Sequence, residues 1–93
     1  MHGEYKTPGG KLVVADFVVV DQCLRDVEVS GDFFLYPEEA LAMIVGALEG
    51  ADAGASEGEL AERIRAALPP GATLLGFSPE GITRAVRRGL GDA

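Results

Sequence analysis

The chain alternates between long apolar runs and short polar breaks over its first third. Residues 11–21 (KLVVADFVVVD) are apolar apart from Asp16 and the two end residues. A β-rich run that is apolar on nearly both faces is typical of a central strand or of one covered on both sides. After a turn at Asp21-Gln22, residues 24–30 (LRDVEVS) alternate between apolar and polar positions. This alternation predicts the second arm of an antiparallel hairpin with one solvated face.

The segment Ser30–Pro37 (SGDFFLYP) joins this hairpin to the helical part of the chain. Gly31-Asp32 ends the second strand, and Phe33–Leu35 is predicted to form a brief third strand. Two of the three residues Phe33, Phe34 and Leu35 are expected to fill the core. Because a short strand alternates its faces, we expect at least one of Phe34 and Tyr36 to point outward as an aromatic anchor for a partner.

Three helices are predicted over residues 37–91. The first begins at Pro37, which suits the first helical position, and Gly50 is expected to end it. Its apolar stripe has the i, i+3, i+4, i+7 spacing of an amphipathic helix, at Leu41, Ile44, Val45 and Leu48. Residues 50–58 (GADAGASEG) are small and flexible enough to form the loop that follows.

The second and third helices have clear start signals. Ser56-Glu57-Gly58-Glu59 has the S-x-x-E pattern of a capping box, and Pro69-Pro70-Gly71 ends that helix. Thr73–Leu75 is predicted to be a short connector or small strand. Ser78-Pro79 begins the third helix, whose buried face is predicted to consist of Ile82, Ala85, Val86 and Leu90.

These elements predict an α+β fold, in which a small antiparallel sheet (a hairpin plus a short third strand) is packed by about three helices. The chain has 93 residues, enough for one domain with one modest core. Residues 1–93 are therefore interpreted as a single domain, with a basic loop segment at 1–11, the sheet at 12–35 and the helical part at 37–91.

The overall charge narrows the classes of function. Net charge is −7, which argues against a general nucleic-acid binder and against binding to anionic membranes. The longest apolar run, Leu12–Val20, is far shorter than the roughly 20 residues that a bilayer needs. No signal-peptide pattern is present and the single cysteine forms no disulfide framework, so we expect a cytoplasmic protein.

Residues suited to catalysis are scarce. His2 is the only histidine, and its place at the terminus predicts a frayed position, so no base is available for a Ser–His or Cys–His arrangement. Cys23 is the only thiol, and its carboxylate neighbours Asp21 and Asp26 disfavour the thiolate. No zinc-binding motif occurs. We therefore expect no catalytic residue, no metal site and no cofactor bound by the chain alone.

The segment Tyr5–Lys11 (YKTPGGK) is the strongest candidate for a binding loop. Residues 1–11 carry one acid and two lysines, a net charge of +1, so the rest of the chain carries −8. Lys6 and Lys11 flank Pro8-Gly9-Gly10, and this places ammonium groups beside backbone amides that could face one anion such as phosphate. The alternative is that Pro-Gly-Gly is a plain turn and that the lysines discourage edge aggregation.

Three segments together resemble the small accessory domain of lipoate–protein ligases: GEYKTPGGKLV, VSGDFFLYPEEAL and GFSPEGITRAVRRGL. The resemblance covers essentially the full length in the same order. Its most specific part is Lys6, Pro8, Gly9, Gly10 and Lys11, followed by Gly31–Phe34. In that family the domain is either a separate polypeptide beside a larger subunit or a fused C-terminal domain, and some fused forms lack the Pro-Gly-Gly-Lys stretch.

The resemblance implies a non-catalytic accessory subunit of a two-part ligase. A large subunit would bind lipoate, ATP and magnesium, form lipoyl-AMP, and transfer the lipoyl group to a carrier-domain lysine. It also implies an indirect connection with the lipoyl carriers, namely the carrier domains of 2-oxoacid dehydrogenases and the glycine cleavage H protein. The predicted partner-binding residues are Tyr5, Gly31, Asp32, Phe34 and Tyr36, and the basic loop would face substrate phosphate or the partner.

Two alternatives remain open from the residues. The lysine-flanked Gly-Gly loop could belong to a nucleotide- or nucleic-acid-binding module, although the net charge of −7 works against nucleic acid. The family fold also resembles that of sulfur-transfer and iron–sulfur scaffold proteins. In that case Cys23 would have to accept sulfur or ligate a cluster without companion thiols, whereas clusters need several thiolates.

Overall fold

A computed structural model describes residues 1–9 and 11–92. Its elements, in chain order, are β1 (His2–Lys6), β2 (Leu12–Val20), β3 (Cys23–Gly31), β4 (Phe34–Tyr36), α1 (Glu39–Leu48), α2 (Glu57–Ala67), β5 (Thr73–Leu75) and α3 (Pro79–Gly89). The α+β class is confirmed. No helix within the described ranges is long and apolar enough to cross a membrane.

The main sheet is antiparallel and has the strand order β1-β2-β3, so the prediction of a central strand at β2 is confirmed. Its third strand differs from the predicted one: it is β1, and the sheet therefore begins at His2 rather than at residue 12. Alternation explains β1, since His2, Glu4 and Lys6 are exposed while Gly3 and Tyr5 face α3. Pairing with β2 and packing against α3 make so polar a segment a strand.

The predicted brief strand at Phe33–Leu35 exists as β4, but it does not join the main sheet. It pairs with β5 in a separate two-stranded sheet, which we call the ribbon (Phe34–Tyr36 and Thr73–Leu75). The two strands lie far apart in sequence, so no local pattern could indicate their pairing.

The β2–β3 hairpin closes through a two-residue turn. Asp21 and Gln22 both have positive φ, 51° and 65°, which is the type I′ geometry that matches the twist of hairpin strands. A bulge follows, where β3 has one extra residue opposite Asp16–Val18. Asp26 takes φ 54° there, and the Val27 N–H donates to Glu49 Oε1 at 2.6 Å. This bond ties the bulge to the end of α1.

One face of the sheet is buried under the helices. Val13, Ala15 and Phe17 project from β2 at every second position and lie in the core. The helices contribute the stripes predicted for them, and the largest fully buried side chains include Leu24, Ile44, Leu48, Leu60, Ile64 and Ile82. The opposite face of the sheet stays open, with Val18 and Val20 exposed.

The predicted helix starts are confirmed in α2 and α3. Ser56 and Glu59 form the full capping box of α2, and Ser78 accepts a hydrogen bond from Gly81 N–H at 3.1 Å at the start of α3. α1 begins at Glu39, two residues after Pro37, and Gly50 takes φ 76° just beyond its end. These caps fix where the loops around the candidate site begin.

Candidate functional site

The predicted binding loop is a closed turn fastened to the segment that precedes α3. The Thr7 N–H donates to the Lys11 carbonyl at 2.7 Å, and Thr7 Oγ1 lies 3.1 Å from the same carbonyl and 3.0 Å from that of Gly76. Pro8 and Gly9 form the exposed turn, in which Gly9 takes φ 98°. Gly10, also predicted to belong to this loop, lies outside the described residues.

Lys6 and Lys11 leave the loop from opposite faces of the sheet. Lys6 alternates with His2 and Glu4 on the open face. The stem of Lys11 packs on the helix side, because a Cβ placed on Gly76 would lie 2.6 Å from Lys11 Cγ. These two are the only lysines of the sequence, so the loop carries every lysine ammonium group of the chain.

Tyr5 packs between β1 and α3, close to the loop. It is half-buried, and the guanidinium carbons of Arg84 and Arg88 lie 5.6 Å and 5.1 Å from its ring centroid, within cation–π range. Arg88 also donates to the Glu4 carbonyl at 3.1 Å. This arrangement fastens β1 to α3 and gives Tyr5 a structural role; its predicted contact with a partner stays a prediction.

The ribbon exposes three large apolar side chains. Phe34 is 66% exposed, Tyr36 65% and Leu75 57%, and Phe34 is paired directly with Leu75 across the two strands. The expectation that at least one of Phe34 and Tyr36 points outward is confirmed for both. Leu75 was not predicted as a surface residue, since the orientation of a three-residue strand is set by its partner strand. The three residues form one exposed apolar patch.

The loop and the ribbon are joined at one end of the molecule. The rings of Phe33 and Phe77 lie 4.2 Å apart between centroids, and the Asp32 N–H donates to the Leu12 carbonyl at 3.0 Å. Gly31 has φ 147°, and a Cβ there would lie 2.0 Å from the Leu12 carbonyl oxygen. Gly31 and Asp32 thus connect the two predicted segments, while their role towards a partner remains a prediction.

A groove of about 740 Å³ adjoins the loop, between α2 and the start of α3. Its lining includes Tyr5, Pro8, Ala61 and Phe77 together with charged residues from both helices. Across it, Arg84 Nε donates to Glu57 Oε1 at 2.6 Å and Arg65 pairs with Glu80, while Arg65 also pairs with Glu62 of its own helix at 2.9 Å. The hydrogen bond to Glu57 raises the pKa of the Arg84 guanidinium.

The sequence analysis did not predict this groove, and Glu57 entered it only as part of the capping-box pattern of α2. The spacing of Glu57 and Glu62 along α2 carries no information about which residues of α3 face them. Only the packing of the two helices brings the charges together.

His2 is not a frayed tail residue, contrary to the prediction. Its Nδ1 lies 2.6 Å from Asp16 Oδ1 and its Nε2 2.7 Å from Glu4 Oε2, and both contacts raise its pKa, the one with Glu4 most. The terminal amino group of Met1 donates to the Phe17 carbonyl, and the Phe17 N–H donates to the Met1 carbonyl at 2.9 Å. These bonds hold the start of β1 in place.

Cys23 lies half-buried at the β2–β3 turn, where it forms an isolated β-bridge with Asp52. Within residues 1–9 and 11–92, no three side chains of the metal-binding types come together in a way that could hold an ion.

Comparisons with known proteins give one informative likeness. Neither protein-family models nor curated proteins show a match. Among solved structures, the chain is similar to one from an archaeal lipoylation system, a bi-partite lipoate protein ligase and its E2 lipoyl domain from Thermoplasma acidophilum. The TM-score is 0.75 at 23% identity, over 94% of this chain and 93% of the other. At this identity, the likeness shows that the two chains share a fold from end to end.

Proposed function

We propose that this chain is the accessory subunit of a two-part lipoate–protein ligase. It assists a large catalytic subunit in the ATP-dependent activation of lipoate to lipoyl-AMP, which precedes transfer to a carrier-domain lysine. On its own the chain catalyses neither step.

The observation that carries this proposal is the end-to-end likeness to a chain from a bi-partite lipoate protein ligase system. Coverage of 94% and 93% means that the structural alignment extends over nearly the whole of both chains. The resemblance of the loop and ribbon segments to the accessory domain of that family supports the same conclusion from different information, namely residue identities.

The exposed surfaces suit a subunit that works in a complex. The apolar patch of Phe34, Tyr36 and Leu75 is the kind of surface that a partner covers. Large aromatic side chains at such a patch are the usual anchors of binding energy. In this proposal the patch contacts the large subunit, and Gly31-Asp32 sets its position relative to the main sheet.

The chemistry belongs to the partner in this proposal. Lipoate, ATP and magnesium bind to the large subunit, and the carrier domains of 2-oxoacid dehydrogenases and the glycine cleavage H protein are reached through it. Both ring nitrogens of His2 contact carboxylates, and His2 lies opposite Asp16 of β2, whereas Cys23 lies opposite Val20 at the end of that strand. These two side chains therefore do not form a nucleophile–base pair.

The basic loop acts on the activation step in this proposal. Adenylation builds negative charge on the α-phosphate and on the leaving pyrophosphate, and preorganised cations and amides stabilise such charge. Thr7 fastens the base of the loop through its bonds to Lys11 and Gly76, so the backbone that carries the Lys11 side chain is held beside the segment that precedes α3. The loop then faces the nucleotide pocket of the large subunit.

The test is ATP-dependent lipoylation of a carrier domain by the candidate large subunit, measured with and without this chain. The chain alone is the control for intrinsic activity. Modification only in the mixture would support the proposal. Equal modification by the large subunit with and without the chain would overturn it.

The alternative of a nucleotide- or nucleic-acid-binding module gains no support. A net charge of −7 repels polyanions such as nucleic acid. We do not propose it further.

A further inference from the structure

We propose that Lys11, and not Lys6, is the loop cation that contacts phosphate in the activation step, and that Thr7 and Gly76 are the positioning residues that hold it. The inference rests on the proposed ligase function and deepens it, because it separates the roles of the two loop lysines. Three observations carry it: the packing of the Lys11 stem, the hydrogen bonds at its backbone and its position beside the apolar patch.

The stem of Lys11 occupies the space that a side chain at residue 76 would take. A Cβ placed on Gly76 would lie 2.6 Å from Lys11 Cγ, 3.3 Å from its Cβ and 3.4 Å from its Cδ. Gly76 also takes φ 88°, a conformation that favours glycine. Three carbons of the stem are thus packed against backbone, although the residue as a whole stays exposed. Because the packed stem has less conformational entropy to lose, its ammonium group binds an anion at a lower entropic cost.

Thr7 holds the backbone on both sides of this packing contact. Its N–H donates to the Lys11 carbonyl at 2.7 Å, and its Oγ1 lies 3.1 Å from the same carbonyl and 3.0 Å from that of Gly76. Thr7 is only 9% exposed, so these polar groups are paired within the protein. The hydroxyl therefore connects the two residues that pack together, and Thr7 influences phosphate only through Lys11.

Lys11 lies at the border of the apolar patch. Gly76, on which its stem packs, directly follows Leu75, and Leu75 is paired with Phe34 across the ribbon. A partner that covers the patch therefore also reaches the residue against which Lys11 packs. Lys6 instead alternates with the polar residues of β1 on the open face of the main sheet.

The ammonium group of Lys11 has no acidic partner within residues 1–9 and 11–92. The ion pairs of these residues use His2 and three of the arginines as cations. Asp32 lies beside the same segment, since its N–H donates to the Leu12 carbonyl, yet it forms no ion pair with Lys11. Lys6 has no acidic partner in this part of the chain either, so packing and position, rather than charge, distinguish the two lysines.

The activation step offers a defined anion for this ammonium group. A carboxylate oxygen of lipoate forms a bond to the α-phosphorus of ATP. The bond from that phosphorus to the oxygen bridging to the β-phosphate breaks, and pyrophosphate leaves with the electron pair. A cation held in place stabilises the negative charge that develops on the leaving group. The later transfer to the carrier lysine releases no pyrophosphate, so loss of Lys11 should affect activation selectively.

The test is the rate of lipoyl-AMP formation by the large subunit at a saturating concentration of this chain. Lys11→Ala should lower this rate about tenfold, and the loss in Lys6→Ala should be at least about fivefold smaller. Transfer from preformed lipoyl-AMP should change much less in both variants. Lys11→Arg keeps the charge and should retain more of the rate than Lys11→Ala. Calorimetric titration with the large subunit separates docking from rate.

Two glycines provide a matched pair for the positioning role. Gly76 and Gly71 have similar positive φ, 88° and 79°, so alanine at either should lower the melting temperature by a similar amount, about 4–8 °C. A Cβ at Gly71 would meet nothing within 4 Å, whereas one at Gly76 displaces the Lys11 stem. We expect only Gly76→Ala to slow lipoyl-AMP formation, about threefold or more, and to have no further effect in a Lys11→Ala background. Thr7→Val should slow the same step, and Thr7→Ser, which keeps the hydroxyl, should restore it.

The outcomes distinguish this inference from the proposed function. If the wild-type chain does not accelerate lipoyl-AMP formation, the proposed function fails and this inference fails with it. If it does, equal losses in Lys11→Ala and Lys6→Ala would overturn the inference alone. Equal rates for Gly76→Ala and Gly71→Ala, or a loss in Gly76→Ala that persists without the Lys11 side chain, would do the same. Weaker docking of Lys11→Ala with an unchanged rate at saturation would assign the lysine to the interface and not to phosphate.

Discussion

The two sheets of this molecule differ in whether their large apolar side chains are buried or exposed. In the main sheet, Val13, Ala15 and Leu24 are completely buried beneath the helices. In the ribbon, Phe34, Tyr36 and Leu75 are mostly exposed although they are just as apolar. The difference shows that the fold forms without burying these ribbon side chains, which leaves them accessible to a partner. The predictions below are ordered from the largest expected effect to the smallest.

The main sheet should tolerate no added bulk where it meets α3. A Cβ at Gly3 would lie 1.9 Å from the Ala85 carbonyl oxygen and 2.4 Å from the Gly89 nitrogen, both backbone atoms that cannot step aside. We expect Gly3→Ala to lower the free energy of unfolding by about 3 kcal/mol or more, since β1 must separate from α3. Urea unfolding measures it, with the exposed Gly46→Ala as control. Equal stability of the two variants would contradict the close approach of β1 and α3.

Truncating a core side chain should lower the free energy of unfolding much more than truncating a ribbon side chain. Leu24→Ala removes a fully buried side chain and should cost about 2–5 kcal/mol of unfolding free energy. Phe34→Ala should cost less than about 1 kcal/mol, because the ring is 66% exposed. Chemical denaturation of both variants tests the comparison. A loss of stability in Phe34→Ala as large as in Leu24→Ala would show that the ribbon belongs to the core.

The exposed side chains of the ribbon should contribute to binding of the large subunit rather than to stability. We expect Phe34→Ala combined with Tyr36→Ala to weaken binding of the large subunit about tenfold or more, because both side chains would be anchors in the complex. Val18→Ala with Val20→Ala is the matched control, since it removes exposed apolar side chains from the open face of the main sheet. Calorimetric titration measures both. A larger loss in the valine pair would move the docking surface to the main sheet.

The loop lysines should affect the formation of lipoyl-AMP more than the transfer of the lipoyl group from it. Lys6→Ala with Lys11→Ala is expected to slow formation of lipoyl-AMP about tenfold or more and to affect transfer from preformed lipoyl-AMP much less. The same positions changed to arginine keep the charge, and Arg25→Ala with Arg63→Ala makes the same change in net charge elsewhere on the surface. Equal losses in both half-reactions would mean that the lysines serve docking alone.

The smallest expected effect is a pH dependence from His2. Its pKa is raised in the folded chain, first by Glu4 and then by Asp16, so the protonated form is favoured by folding. The resulting stabilisation is fully present below the ordinary histidine pKa of about 6.5 and is lost as pH rises through the higher folded value. NMR titration of the imidazole in wild type and Glu4→Gln measures the shift. An unchanged pKa in Glu4→Gln would contradict the contact.

Local patterns were sufficient for much of the fold. The capping box at Ser56–Glu59, the apolar stripes and the turn at Asp21-Gln22 each express local energetics, and the structure confirms them. The position of β1 and the pairing of β4 with β5 depend on contacts between distant segments, and such pairings leave no periodic signal.

Individual residues of the candidate site were predictable from the sequence, but the contacts that join the loop to the ribbon were not. An outward position for at least one of Phe34 and Tyr36 was predictable because a short strand alternates its faces. The connection of the loop to the ribbon rests on Thr7 with Gly76 and on Phe33 with Phe77, which are 69 and 44 residues apart in sequence. The groove needs α2 and α3 together, so neither helix alone could indicate it.

The most direct test of the account is the rate of lipoyl-AMP formation from lipoate and ATP by the large subunit, with this chain added at increasing concentration. The account predicts little product without the chain, a saturable rise with it, and a shift of the half-maximal concentration to higher values with the Phe34→Ala, Tyr36→Ala variant. A rate that does not depend on the chain would contradict the account.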